Sequence, residues 1–144
     1  MKIAVIGGGG VRSMFLAKSL AQGSEELGFD EIVFMDNDEK KLNIYGRMSA
    51  QLVKTLHPGL DFKLTTDPVE AVKDADYIIT TIRVGGDDMR IRDEKAALAK
   101  HLLGQETTGA AGFSFAMRSV PALAEYCELA KKHASPDVKI FNFT

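Results

Sequence analysis

The chain has 144 residues, 45% of them hydrophobic, with 18 Lys+Arg set against 20 Asp+Glu and a formal net charge of −2. That length suits one domain able to bury a core without staples, and the charge balance leaves no basic footprint for nucleic acid. No apolar run approaches a membrane span, no leader is expected before Lys2, and one cysteine, Cys127, excludes an internal disulfide framework or thiolate zinc cluster.

These features point to a cytoplasmic globular protein without membrane contact. Short β-branched runs alternate with longer helix-period segments, the pattern of a parallel sheet with crossover helices. The first strand is Lys2–Ile6, apolar enough to be covered on both faces. Glycines follow, then a helix over about Val11–Gln22, with Val11, Phe15, Leu16, Ala17 and Leu20 towards one side. A second strand, Ile32–Met35, ends at Asp36. A long helix spans about Asp38–Leu56 and stops at His57-Pro58-Gly59, because proline cannot continue it.

Phe62–Thr65 reads as the third strand. Asp67-Pro68-Val69-Glu70 starts a helix, with Asp67 as cap and Glu70 reaching back. Ala75–Ile82 is the fourth strand. Charged residues 87–95 lead into a helix to about His101, and a Gly/Thr-rich loop over residues 104–112 precedes a helix at about Phe113–His133. Its apolar stripe of Met117, Val120, Ala124 and Cys127 is expected to face the core. Asp137–Phe141 is the fifth strand. The fold class is therefore α/β, a Rossmann-like doubly wound parallel sheet that binds a dinucleotide.

Gly7-Gly8-Gly9-Gly10-Val11-Arg12-Ser13 occupies the strand-to-helix junction where a dinucleotide fingerprint belongs. Gly7 permits the tight turn, Gly9 admits a pyrophosphate to the backbone, and the helix start near Val11 offers free N–H groups. The third glycine of the usual pattern falls on Arg12, or on Ser13 if counting starts at Gly8. Arg12 is a candidate to meet a phosphate. Asp36 stands where a carboxylate accepts hydrogen bonds from the adenosine ribose and repels a 2′-phosphate, favouring NAD over NADP; the competing role is capping the next helix. The candidate cofactor residues are Gly7, Gly9, Gly10, Val11, Arg12, Asp36 and Arg83.

Rossmann geometry sets the nicotinamide half beyond strands four and five. Arg83, Gly85-Gly86, Arg90, Arg92, Asp93-Glu94 and the Gly104–Gly109 loop fall there. Arginines at that rim suit an anionic substrate, since a guanidinium binds carboxylate or phosphate through two parallel bonds. Glu106 suits positioning or charge tuning of another group. The competing role for each is that of a solvated charge at a helix entrance.

Several separated strings carry a family resemblance: Lys2–Gly10 (KIAVIGGGG), Ile82–Gly86 (IRVGG) with Arg90 and Asp93-Glu94, Gly104–Phe113 (GQETTGAAGF), Met117–Pro121 (MRSVP) and Asn142–Thr144 (NFT). Together they resemble the NAD- and divalent-metal-dependent glycosidases of glycoside hydrolase family 4, and among these the 6-phospho-β-glucosidases. That family departs from two-carboxylate glycoside hydrolysis. The resemblance implies hydride removal from C3 of the sugar by NAD⁺, C2 deprotonation by a tyrosine with metal stabilisation of the enediolate, elimination of the aglycone, addition of water and hydride return.

The resemblance further implies Arg90 and Asn142 as substrate-binding residues and Glu106 as a neighbour that tunes the tyrosine base. The base and the metal ligands, with manganese as the expected ion, lie outside this chain, and none of its residues is assigned as a metal ligand. Residues 1–144 are then the NAD-binding N-terminal part of a longer enzyme, cut after the fifth strand and inactive alone. The implied partner is a phosphorylated small-molecule sugar, in a homo-oligomer. Two other functions compete: a lactate/malate-type 2-hydroxy-acid dehydrogenase, and a non-catalytic NAD-binding module.

Overall fold

The computed structural model describes residues Met1–Phe143. Five apolar runs form the strands β1 (Lys2–Ile6), β2 (Glu31–Met35), β3 (Asp61–Thr65), β4 (Tyr77–Thr80) and β5 (Lys139–Asn142). All pair in parallel, in the order β3-β2-β1-β4-β5, with Val5 opposite Phe34 and Ile79. This is the expected doubly wound order, and the chain reverses its direction of growth between β1 and β4, the point where such sheets bind ligands.

The connecting helices are α1 (Ser13–Leu27), α2 (Glu39–Lys41), α3 (Arg47–Leu56), α4 (Pro68–Val72), α5 (Gly86–Leu98) and α6 (Gly109–His133). Between α2 and α3 the helix widens into a π-turn, Leu42–Gly46. A side chain at Gly46 would lie 2.9 Å from Leu64, so glycine lets this turn lie close to β3. The chain divides into two compact units: Met1–Thr81 with Leu129–Thr144, and Ile82–Glu128.

In the first unit, Ile3, Val5, Ile32 and Phe34 share one sheet face with Ala17, Ala21 and Val53 from the helices. Phe34 is fully buried, which stabilises the fold by about 1.5–3 kcal/mol relative to exposure. Alternation in the pleat turns Ala4 and Ile6 to the other face, where α4 packs with Ala71 and Val72 buried. Lys2 Nζ ties β1 to the end of α4 by donating to the carbonyls of Lys73 and Glu70, at 2.8 and 3.2 Å. The β3 edge carries Lys63, paired with Glu31 and Asp61 at 2.9 Å each, a charged edge of the kind that discourages strand addition.

Several expectations change. The buried face of α1 is Ser13, Ala17, Ala21 and Ser24, whereas Val11 and Phe15 are 63% and 70% exposed. Close docking of α1 selects small side chains over large ones. Its start lies at Ser13, two residues later than expected, and its end at Leu27. Asp67 caps α4 by accepting the Val69 N–H, but Glu70 instead accepts the Thr65 hydroxyl, which itself receives the Asp67 N–H. In α6 the Met117–Cys127 stripe is exposed, Cys127 included, while Ala111, Ser119 and Ala130 are buried. The helix also starts at Gly109, so half of the expected Gly/Thr loop is helical. β4 is shorter than expected. β5 exposes Ile140 and Phe141.

Candidate functional sites

In the first unit the glycine loop leaves β1 and doubles back over β2. Gly7 has φ +102°, and a side chain there would meet Thr81 Oγ1 at 2.7 Å, so conformation and space both require glycine. The Gly7 and Gly8 N–H groups both donate to the Met35 carbonyl, at 2.8 and 2.9 Å. The buried Gly9 N–H donates to Asp36 Oδ2 at 2.9 Å, and Asp36 Oδ1 accepts the Asp38 N–H at the same distance. A Cβ on Gly9 would stand 2.8 Å from that carboxylate, so the room read from sequence as space for a pyrophosphate is here also the seat of Asp36.

Asp36 does not cap α2. Asp38 does, accepting the Lys41 N–H at 3.1 Å, and that bond holds its carboxyl below the usual carboxylate range. Gly10, Val11 and Arg12 are exposed, and among the described residues the Val11 and Arg12 N–H groups have no hydrogen-bond partner. They stand at the positive end of the 15-residue α1. Ser13 is buried with its hydroxyl 3.5 Å from Ser49 Oγ of α3. It therefore fills the place of the third glycine, a small residue at the α1–α3 contact, and leaves Arg12 free to face outward.

Asn142 ends β5 beside Thr80, whose buried hydroxyl donates to Asn142 Oδ1 at 2.8 Å. Thr144, the last residue of the NFT string, lies outside the described residues.

The second unit gathers Arg83, Arg90 and Glu106. Arg83 Nη1 donates to Glu106 Oε2 at 2.9 Å, and Arg90 Nη1 lies 3.5 Å from the same oxygen. Arg90 Nε also meets Glu94 one helical turn on, at 3.2 Å. Arg83, Gly86, Arg90, Asp93, Glu106 and Phe115 line a small recess. Both guanidiniums are 43% exposed, so each pair adds at most about 1 kcal/mol to stability. Their significance is chemical: two guanidiniums converge on one carboxylate oxygen. Arg83, expected to meet a cofactor, is found paired with Glu106, whose carboxylate it shares with Arg90.

Three groups of this unit received no role from the sequence. Gln105 Oε1 accepts the Thr107 and Thr108 N–H groups, at 2.5 and 2.9 Å, together with both threonine hydroxyls, which fixes the turn presenting Glu106. Asp93, 9% exposed, binds Arg118 through both carboxylate oxygens and accepts the Ser114 hydroxyl at 2.7 Å. The Arg118 bonds, with Ser114, hold the Asp93 carboxyl below the usual range. Local spacing pointed elsewhere: Arg90 pairs with Glu94 one turn on, whereas Asp93 finds Arg118, 25 residues away in sequence. Among the described residues, no three His, Cys, Asp or Glu side chains converge as a metal site.

Residues 2–144 match the model of family 4 glycosyl hydrolases. The chain belongs to that family. It is 42% identical to the 6-phospho-β-glucosidase BglT of Thermotoga maritima over 100% of its own length and 34% of that protein. A crystal structure of the Thermotoga maritima 6-phospho-β-glucosidase with manganese, NAD⁺ and glucose-6-phosphate superimposes with a TM-score of 0.91 at 40% identity, covering 100% of this chain and 34% of that one. A 6-phospho-α-glucosidase from gut microorganisms, in complex with NAD and glucose-6-phosphate, gives 0.95 at 33% identity, covering 99% and 33%. The chain thus spans about a third of the length of these family members. Among the described residues, no helix is long and apolar enough to cross a membrane.

Proposed function

We propose that residues 1–144 are the NAD-binding part of a longer 6-phosphoglucosidase. The observation that carries this reading is the Asp36 carboxylate bonded to the Gly9 N–H, an acid at the end of β2 bound to the glycine loop after β1. That arrangement fits a dinucleotide: unpartnered N–H groups at Val11 and Arg12 suit a pyrophosphate, the exposed Gly10 leaves the approach open, and Gly7 and Gly9 admit Thr81 and Asp36 against the loop. Asp36 retains lone pairs for the ribose hydroxyls, and its charge disfavours a 2′-phosphate.

When bound, NAD supplies a temporary hydride acceptor at C3 of the sugar, returned before release. The residues of this chain bind and orient. Arg90 binds the 6-phosphate or the sugar hydroxyls, Asn142 is a further substrate-binding residue, Arg83 reaches the cofactor or the anion that Arg90 binds, and Glu106 Oε1, which takes neither arginine contact, is left to tune a tyrosine base contributed by a later segment. The divalent metal takes its ligands from outside the described residues. The β-glucoside preference rests on the 42% identity to the Thermotoga maritima enzyme alone. A cytoplasmic homo-oligomer, without nucleic acid or membrane, completes the reading, in keeping with a net charge of −2.

The test is hydrolysis of a chromogenic 6-phospho-β-glucoside by the full-length protein with NAD⁺ and Mn²⁺. Aglycone release without accumulating NADH is expected, with no activity from residues 1–144 alone. Net NADH formation from a 2-hydroxy acid would overturn the reading in favour of a dehydrogenase. NAD binding with neither activity would favour a non-catalytic module.

A further inference from the structure

Arg118 spends every nitrogen inside the second unit. Its Nη1 and Nη2 grip Asp93 at 3.2 and 2.5 Å, Nη1 also donates to the Ser114 carbonyl at 3.0 Å, and Nε reaches the Val84 carbonyl at 3.5 Å. Three pieces of chain thus meet on one guanidinium: α5 through Asp93, α6 through Ser114, and the segment leaving β4 through Val84. Each carries or adjoins a part of the arginine cluster. Arg90 stands three residues before Asp93 on α5, Arg83 directly precedes Val84, and the Gln105–Thr108 turn runs into α6. A Cβ at Gly85 would lie 3.6 Å from Arg118 Nε and 2.4 Å from Met89, so the backbone passes close to this pair.

A pair this enclosed is a costly way to gain stability alone, since two desolvated charges barely recover their hydration. Its geometry serves placement instead: a planar fork gripping a carboxylate resists both rotation and sliding, which an ammonium on a flexible stem does not.

We infer that Arg118, locked by Asp93, is a positioning residue that holds Arg83 and Arg90 at the spacing needed to bind the anionic group of the substrate. Arg118 itself does not touch that anion. The inference rests on the reading of the second unit as a sugar-phosphate site. Arg83 and Arg90 leave their common point at Glu106 when Arg118 loses its fork, and affinity falls although both arginines remain.

The experiment uses the full-length protein with NAD⁺ and Mn²⁺, and compares wild type, Arg118→Lys, Arg90→Lys and the double variant. Arg118→Lys is expected to raise KM for the 6-phosphoglucoside, and the inhibition constant of glucose 6-phosphate, by about tenfold, with a smaller change in kcat. In the Arg90→Lys background the same change should cost less than about threefold, because the residue it acts through is already lost. Equal penalties in both backgrounds, or a lowered Tm with unchanged KM, would overturn the inference. A second readout is independent of the substrate: in ¹⁵N-arginine spectra, Arg118→Lys should shift and sharpen the Nε–H signals of Arg83 and Arg90. Unmoved signals overturn the positioning role. Moved signals in a protein that binds no glucose 6-phosphate uphold it and overturn the sugar-phosphate reading.

Discussion

The Asp36 carboxylate bonds the Gly9 N–H at 2.9 Å, so the residue that ends β2 is fastened to the loop that follows β1. One oxygen orders the glycine loop and the other orders the turn into α2 through the Asp38 N–H. Asparagine would keep the shape but offer an NH₂ to one of two N–H donors. Asp36→Asn is therefore expected to weaken NAD binding by the full-length protein at least tenfold, about 1.4 kcal/mol, and to narrow the preference over NADP. Titration with both dinucleotides checks it; an unchanged ratio of affinities would remove Asp36 from the ribose role.

Gly7 couples a left-handed backbone to a contact with Thr81. Gly7→Ala should destabilise the protein by about 1–3 kcal/mol or more, since strain and overlap act together. Urea unfolding gives the figure directly. Gly10→Ala, with only the Gly7 carbonyl at 3.5 Å in its way, should cost far less.

His101 holds φ +58° just past the end of α5, where its N–H donates to the Leu98 carbonyl at 2.9 Å and the Leu102 N–H to that of Ala97 at 3.1 Å. Glycine is the usual residue for that helix ending. His101→Gly should raise stability by up to about 1 kcal/mol, visible as a higher Tm. A lower Tm would mean that the imidazole makes a stabilising contact in the full-length protein.

Asp93 is an acid whose folded-state pKa lies below its unfolded value, with the Arg118 bonds as the leading cause. Such a group adds stability above the ordinary aspartate range, near 3.9, and loses it as pH falls through the lowered folded value. The acid limb of a stability–pH curve for Asp93→Asn should accordingly be shallower below about pH 4 than that of the wild type. Parallel curves would show that the pair contributes no linkage.

Much of the fold was legible because the sheet is simple. Buried parallel strands read as unbroken apolar runs, and Lys2–Ile6 and Ile32–Met35 stand out for that reason. Helix faces were less legible. Hydrophobic periodicity favours Val11 and Phe15, but close packing of α1 favours Ser13, Ala17 and Ala21, which a hydrophobicity pattern underweights. The same bias set Met117, Val120 and Cys127 in the core, where the structure buries Ala111 and Ser119. At the candidate sites, the identity of Asp36 and of the arginines could be read from position, but not their partners. Which carboxylate Arg83 would find depended on the shape of the turn that Gln105 organises, and loop geometry leaves little trace in spacing.

The first unit is interrupted in sequence: β1 to β4 come from residues 1–81, and β5 arrives only after residues 82–128 have been made. During synthesis the four-stranded sheet can assemble while β4 still presents a bare edge, with the Thr80 hydroxyl awaiting Asn142. Closure over so long an intervening stretch adds an entropic delay that grows only with the logarithm of its length. Pairing of β5 therefore follows the assembly of β1 to β4, and until it arrives β4 carries an unpaired edge of the kind that other strands can occupy.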